Sequence, residues 1–135
     1  MPQAKVAYNN VLVVDDSEID QLIVKKVIEI TLFAHKVVSK NTGQSALEYL
    51  TITPQKELPE IIFLDLNMPV LDGLGFLKVF ETLPSYIIDT CKIIVLSSST
   101  NKNDLSNIVD NKFVKKIISK PLTIDIITEL SYSSF

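Results

Sequence analysis

The stretch Ile61-Ile62-Phe63-Leu64-Asp65-Leu66-Asn67-Met68-Pro69-Val70-Leu71-Asp72-Gly73 decides the fold. Four bulky apolar residues run without alternation into a lone acid, and a proline and an Asp-Gly turn follow. An unbroken apolar run of this length suits a strand covered on both faces, as in a parallel sheet. Asp65 then stands at the carboxyl end of a central strand, the edge at which open α/β sheets place their ligands. A carboxylate is costly inside a core and useful at such an edge. Taken alone, an acid at a strand end serves equally well to cap the turn after it.

The same pattern recurs on either side. Val11-Leu12-Val13-Val14 runs into Asp15-Asp16, after an arm of residues 1–8 that precedes a core of about 9–133. Ser17 offers a helix N-cap, with Asp20 three residues on as the acid of a capping box. The helix that follows carries Ile19, Leu22, Ile23, Val27, Ile30 and Ala34 at spacings of three and four, an amphipathic stripe. Lys36 to Ser39 reads as a short edge strand. Ala46, Leu47 and Leu50 mark a second helix, and Thr53 to Glu57 a loop. Beyond Gly73, the residues Leu74, Leu77, Phe80 and Leu83 give a third helix stopped near Pro84, with Tyr86 to Cys91 as a connection.

Lys92 to Leu96 is a fourth strand, running into Ser97-Ser98-Ser99-Thr100. A fourth helix, Asn103 to about Asn111, is thin in apolar residues and is expected to be marginal and mobile. Val114 to Ser119 is a fifth strand ending at Lys120-Pro121, and Leu122 to about Tyr132 a last helix through Ile124, Ile127, Leu130 and Ser131. Strict strand–helix alternation predicts one α/β domain over residues 1–135, a five-stranded parallel sheet in the order 2-1-3-4-5 with helices on both faces, flavodoxin-like.

Composition narrows the function. The chain is 47% hydrophobic and 21% charged, enough to bury a real core. A net charge of -3 argues against general nucleic-acid binding. All 13 basic residues are lysine, so no guanidinium fork is present to clamp a phosphate. The one cysteine, Cys91, excludes an internal disulfide and reads as a small core residue. His35 reads as a surface residue without a catalytic role. With neither a signal-peptide pattern nor a membrane-spanning run, a soluble, cytoplasmic protein is expected.

The residues that end the apolar runs are Asp15 and Asp16, Asp65, Ser97 and Lys120. A parallel sheet brings all these points to one edge. Three carboxylates brought together raise one another's pKa unless a cation sits between them. Hard oxygen ligands in that number suit Mg2+, which takes one or two carboxylates plus a phosphate and keeps several waters. A carboxylate nucleophile, a divalent ion, a lysine and a hydroxyl are the parts of phosphoryl transfer to a side chain. Each part singly has an ordinary structural use: Asp-Asp before a helix as a cap, a serine-rich strand end as a turn, Lys-Pro as a surface loop. Their coincidence at four strand ends is what points to a site.

These residues resemble a receiver domain of the two-component response regulators. Val14-Asp15-Asp16-Ser17, Asp65-Leu66-Asn67-Met68-Pro69…Asp72-Gly73, Leu96-Ser97-Ser98 and Ile118-Ser119-Lys120-Pro121 stand in that family's order over about residues 9–133. The resemblance implies that Asp65 accepts a phosphoryl group from a histidine kinase or a histidine phosphotransfer protein. It implies Mg2+ on Asp16, Asp65 and the backbone carbonyl of Asn67, with Asp15 acting mostly through a coordinated water. Lys120 would pair with Asp65 and then with the phosphoryl group, Ser97 would swing to bond the phosphate, and the Lys120-Pro121 bond would be cis.

Two positions depart from the common pattern. Ile117 stands where many members carry an aromatic three residues before the lysine, and Ser97 stands where threonine is commoner. Asn67 and Ser99 flank the path of attacking water and are expected to tune the phosphate lifetime. The expected output is docking to another protein or phosphate relay, with no DNA-binding module and no turnover of an external substrate. From Lys92 onward six lysines outnumber four acids, and Lys112, Lys115 and Lys116, with Phe113, Val114 and Ile117 among them, offer a basic and apolar surface or merely a solvated rim. The competing class is a Mg2+-dependent phosphatase of the haloacid dehalogenase type. That class wants an acid two residues after its nucleophile, where this chain has Asn67.

Overall fold

The computed structural model describes residues 6–98, 106 and 108–133. In chain order the elements are β1 (Tyr8–Val14), α1 (Glu18–Thr31), β2 (Ala34–Lys40), α2 (Gly43–Ile52), a 3-10 turn (Gln55–Glu57), β3 (Ile61–Asp65), α3 (Gly73–Phe80), α4 (Ser85–Thr90), β4 (Lys92–Ser97), β5 (Val114–Ser119) and α5 (Ile124–Ser131). All pairings are parallel, and the strands lie in the order β2-β1-β3-β4-β5. The unbroken apolar runs thus read correctly as strands covered on both sides.

Alternate residues of each central strand feed two cores. Leu12, Val14, Ile62, Leu64, Ile93 and Val95 pack on one face with α2 and α3. Val11, Val13, Ile61, Phe63, Ile94 and Leu96 pack on the other with α1 and α5. Every residue of β3 is buried, Asp65 included. Burial on both faces removes the alternation that a half-exposed sheet would show.

The face of α1 differs from the expected stripe. Val24 and Ile28 are its buried residues, while Ile19, Leu22 and Ile30 are 71%, 65% and 58% exposed. The helix carries apolar side chains over more than one face, so periodicity alone does not select the one that meets the sheet. Ala34 is not helical: Leu32, at φ 54, takes the left-handed cap, and Ala34 is the first residue of β2. Ser17 does cap the helix, accepting from the Asp20 N–H at 3.2 Å.

Three boundaries shift as well. Tyr8 belongs to β1 rather than to an arm, because its N–H donates to the Phe33 carbonyl and its ring packs 5.1 Å from that of Phe33. Residues 86–91 are not a plain connection. Pro84, read as the stop of α3, also opens α4, which Ile87 anchors in the core. The final helix begins at Ile124 behind a Thr123 cap and buries Ile127 and Leu130. Residues 103–105 and 107 of the helix expected over 103–111 lie outside the described residues; Ser106, Ile108 and Val109 are helical, and Ile108 is buried.

Cys91 is buried, its thiol pushed up to about 12 by burial, and His35 is exposed on β2. Of the expected basic and apolar surface, Lys112, Lys115 and Lys116 are exposed, while Phe113, Val114 and Ile117 are partly buried against the core. Phe113 meets Phe80 edge-on at 5.7 Å. Among the described residues, no helix is long and apolar enough to cross a membrane.

Gly73, the first residue of α3, ties the third helix to the end of β3. Its N–H donates to the Leu66 carbonyl at 3.0 Å, and a Cβ added there would lie 2.8 Å from Leu66 Cα. That neighbour is backbone and cannot rotate away. Gly73→Ala is expected to destabilise the fold by about 1–3 kcal/mol, read as a lower urea midpoint at unchanged slope.

Candidate functional site

The strand registers bring the predicted residues to one edge. Val14 lies opposite Leu64, Asp65 opposite Leu96, and Ser97 opposite Ser119, so the residues ending β1, β3, β4 and β5 are neighbours. Backbone bonds fix this end of the sheet: the Asp15 N–H donates to the Lys40 carbonyl at 3.1 Å, and the Lys120 N–H to the Ser97 carbonyl at 2.9 Å. The Lys120-Pro121 peptide is cis.

Asp15, Asp65 and Ser97 are buried, at 2%, 3% and 4% exposure, whereas Asp16 is exposed. Carboxylate oxygens of Asp15, Asp16 and Asp65 lie within 4.8 Å of one another. Asp15 Oδ1 accepts the Ser17 N–H at 2.9 Å, and Asp65 Oδ1 accepts the Asn67 N–H at 3.3 Å. Beyond Asp65 the chain turns outward through Val70, at φ 68, with the Leu71 N–H bonded to the Pro69 carbonyl at 2.8 Å. Asn67, Leu66, Met68, Asp72 and Leu74 line a hollow of about 290 Å³ in the segment between β3 and α3. Ser99 lies outside the described residues.

Lys120 pairs with Asp65 as expected and also holds two further acids. Its Nζ donates to Asp15 Oδ2 and to Asp20 Oδ2, each at 2.8 Å, and stands 3.6 Å from Asp65 Oδ1. Burial works against the lysine's charge, but the bonds to Asp15 and Asp20 outweigh it and hold the ammonium above its usual range. Sequence reasoning missed Asp20, which it placed in a capping box. The Ser17 N–H that such an acid would accept already goes to Asp15. The signal available was spacing: Asp20 lies one helical turn beyond Asp16, on the end of α1 that faces the cluster.

The electrostatics single out Asp65. Burial pushes its carboxyl up to about 6; Lys120 and the Asn67 N–H oppose this, and Asp15 and Asp16 add to it. The donors are all hard oxygens on three adjacent carboxylates, which fits a divalent cation of the Mg2+ or Mn2+ kind. Such a cation would offset the repulsion that the fold imposes.

Residues 11–131 match the response regulator receiver domain. The chain belongs to that family. It is 29% identical over 98 residues to response regulator Rcp1 of Synechocystis sp., an alignment covering 70% of this chain and 65% of Rcp1. The chain thus spans less than two thirds of that relative. Among solved structures it is similar to a two-component response regulator from Cytophaga hutchinsonii, with a TM-score of 0.79, 26% identity, and coverage of 90% of this chain and 92% of the other. It also shares the fold of the Mn2+-bound form of Rcp1, with a TM-score of 0.71, 24% identity, and coverage of 91% and 89%. The receiver assignment sets aside the phosphatase class.

The raised Asp65 makes a prediction for the metal-free receiver. Between the ordinary value of 3.8 and about 6, folded protein binds more protons at Asp65 than unfolded chain does. Its contribution to stability is therefore full at low pH and lost as pH rises through about 6. In chelator, Asp65→Asn should melt close to wild type near about pH 4 and increasingly above it toward about pH 7.5, measured by calorimetry.

Proposed function

We propose that Asp65 is the phosphoacceptor of this receiver, taking a phosphoryl group from the phosphohistidine of a sensor kinase or a histidine phosphotransfer protein. The observation that carries the reading is the buried Asp65 carboxylate, held among two other acids with the Lys120 ammonium 3.6 Å away. An Asp65 carboxylate oxygen attacks phosphorus while the P–N bond to the donor imidazole breaks. The electron pair stays on the ring nitrogen, and an acyl phosphate forms on Asp65. The Lys120 ammonium stabilises one phosphoryl oxygen as a point charge, and the Ser97 hydroxyl donates to another.

Asp16, Asp65 and the Asn67 carbonyl would hold Mg2+, with Asp15 acting through a water. When bound, the ion neutralises charge on the phosphoryl oxygens. The acidic donor set supports this, as does the Mn2+-bound form of Rcp1. The receiver modifies its own side chain and, on this reading, turns over no external substrate. Asn67 and Ser99 tune the lifetime of the acyl phosphate.

Phosphorylation switches docking to a downstream protein, with neither nucleic acid nor membrane as target, in the cytoplasm. Ile117 is half-buried against the core that includes Val95 and Phe80, so no aromatic ring at this position reports the state of the site. The switch therefore runs through Ser97 and the segment after it rather than through a ring flip. It acts by shifting a population between two packings.

Incubation with acetyl phosphate and Mg2+ should add one phosphoryl group by intact mass, and Asp65→Ala should add none. Labelling that survives Asp65→Ala would sink the assignment. A second variant tests the metal site: Asp16→Asn relieves like-charge repulsion, so it should raise the melting temperature in chelator while weakening Mg2+ binding by calorimetric titration.

A further inference from the structure

Lys120 has three ammonium protons and more acceptors around it than the phosphoacceptor reading needs. Asp15 and Asp20 each take one proton at 2.8 Å, whereas the 3.6 Å separation from Asp65 is too long for a hydrogen bond. The lysine therefore hydrogen-bonds Asp15 and Asp20 and keeps only an ion pair with Asp65. Its side chain is only 14% exposed, against 36% for Asp20 and 2% for Asp15.

Asp20 is poorly explained as a helix-capping acid. Its own N–H is satisfied by Ser17 Oγ, and the Ser17 N–H is already taken by Asp15 Oδ1. Its carboxylate turns instead across 100 residues of chain to the lysine that follows β5. Asp20 also stands outside the cluster formed by Asp15, Asp16 and Asp65. A divalent cation held by that cluster would compete with the lysine for Asp15, whereas Asp20 is not among the acids that would hold it. Asp20 is then the remaining restraint when a phosphoryl group arrives.

We propose that Asp20 is a positioning residue that holds Lys120 back from Asp65, so that a phosphoryl group on Asp65 must compete with it for the ammonium. This rests on the reading of Asp65 as phosphoacceptor. Neutralising Asp20 leaves the lysine free to commit to the phosphoryl oxygens. The phosphorylated form gains stability relative to the unmodified one, and the acyl phosphate is held longer.

The test is the affinity for beryllofluoride, a phosphoryl mimic, titrated by NMR at saturating Mg2+ into the full chain. Asp20→Asn should bind about threefold to fivefold more tightly than wild type, the scale of one partly exposed ion pair. Acetyl-phosphate-labelled Asp20→Asn should lose its label more slowly by a similar factor. Asp20→Glu should restore wild-type affinity, and Asp20→Ser, a second neutral variant, should behave as Asp20→Asn does. In a Lys120→Met background Asp20→Asn should change nothing, because the effect passes through the lysine.

Unchanged or weaker binding by the neutral variants overturns the proposal. So does an equal gain in the Lys120→Met background, or a change confined to melting temperature. Wild-type protein that binds no beryllofluoride, or binds it equally after Asp65→Ala, would overturn the phosphoacceptor reading itself and Asp20's role with it.

Discussion

One ammonium stands among four carboxylates at the carboxyl edge of the sheet, and much of the structure follows from holding that arrangement. Asp15, Asp16 and Asp65 lie within 4.8 Å of one another, and Lys120 bonds Asp15 and Asp20. Such a cluster is unfavourable by itself: acids at this separation repel, and burial deprives Asp15 and Asp65 of water. The fold tolerates it because the strands beneath are fully apolar and packed on both faces. The rise in the Asp65 pKa to about 6 is the physical trace of that tension. A side chain held in this way has much to gain from a divalent cation or from any change that removes its charge.

The supporting structure is arranged around the same edge. Parallel strands all end in the same direction, so only this topology delivers the residues after β1, β3, β4 and β5 to one place. Backbone bonds from Asp15 to Lys40 and from Lys120 to Ser97 set the strand ends against each other. Gly73 lets α3 start directly against Leu66, which keeps the chain after Asp65 tight. At the same time the exposed Val70 takes a left-handed backbone that a β-branched residue rarely adopts, in the loop that follows Asp65. Rigidity lies below the carboxylates and strain beside them.

Much of this was legible in the chain, for identifiable reasons. Apolar runs without alternation are a strong signal, and those of β1, β3 and β4 terminate in polar residues that parallel topology must gather. The reading failed where local pattern underdetermines contact. Along α1 the apolar residues cover several faces, and Val24 and Ile28 were missed because only the sheet selects among them. Residues 85–90 carry too short a helix for periodicity to show, and Pro84 serves both as the end of one helix and the start of the next. Tyr8 joins β1 through its contact with Phe33, a partner remote in sequence.

Asp20 marks the division most clearly. The sequence by itself determined the alternation of strands and helices, the parallel sheet and its order, and which acids, hydroxyl and amine stand at the strand ends, because hydrophobic burial imposes those patterns residue by residue. Tertiary structure alone decided that Lys120 rests on Asp15 and Asp20 with Asp65 at 3.6 Å. An ammonium on a flexible stem goes wherever several distant carboxylates together make the deepest well. No local spacing encodes the relative depth of wells contributed by three separate segments.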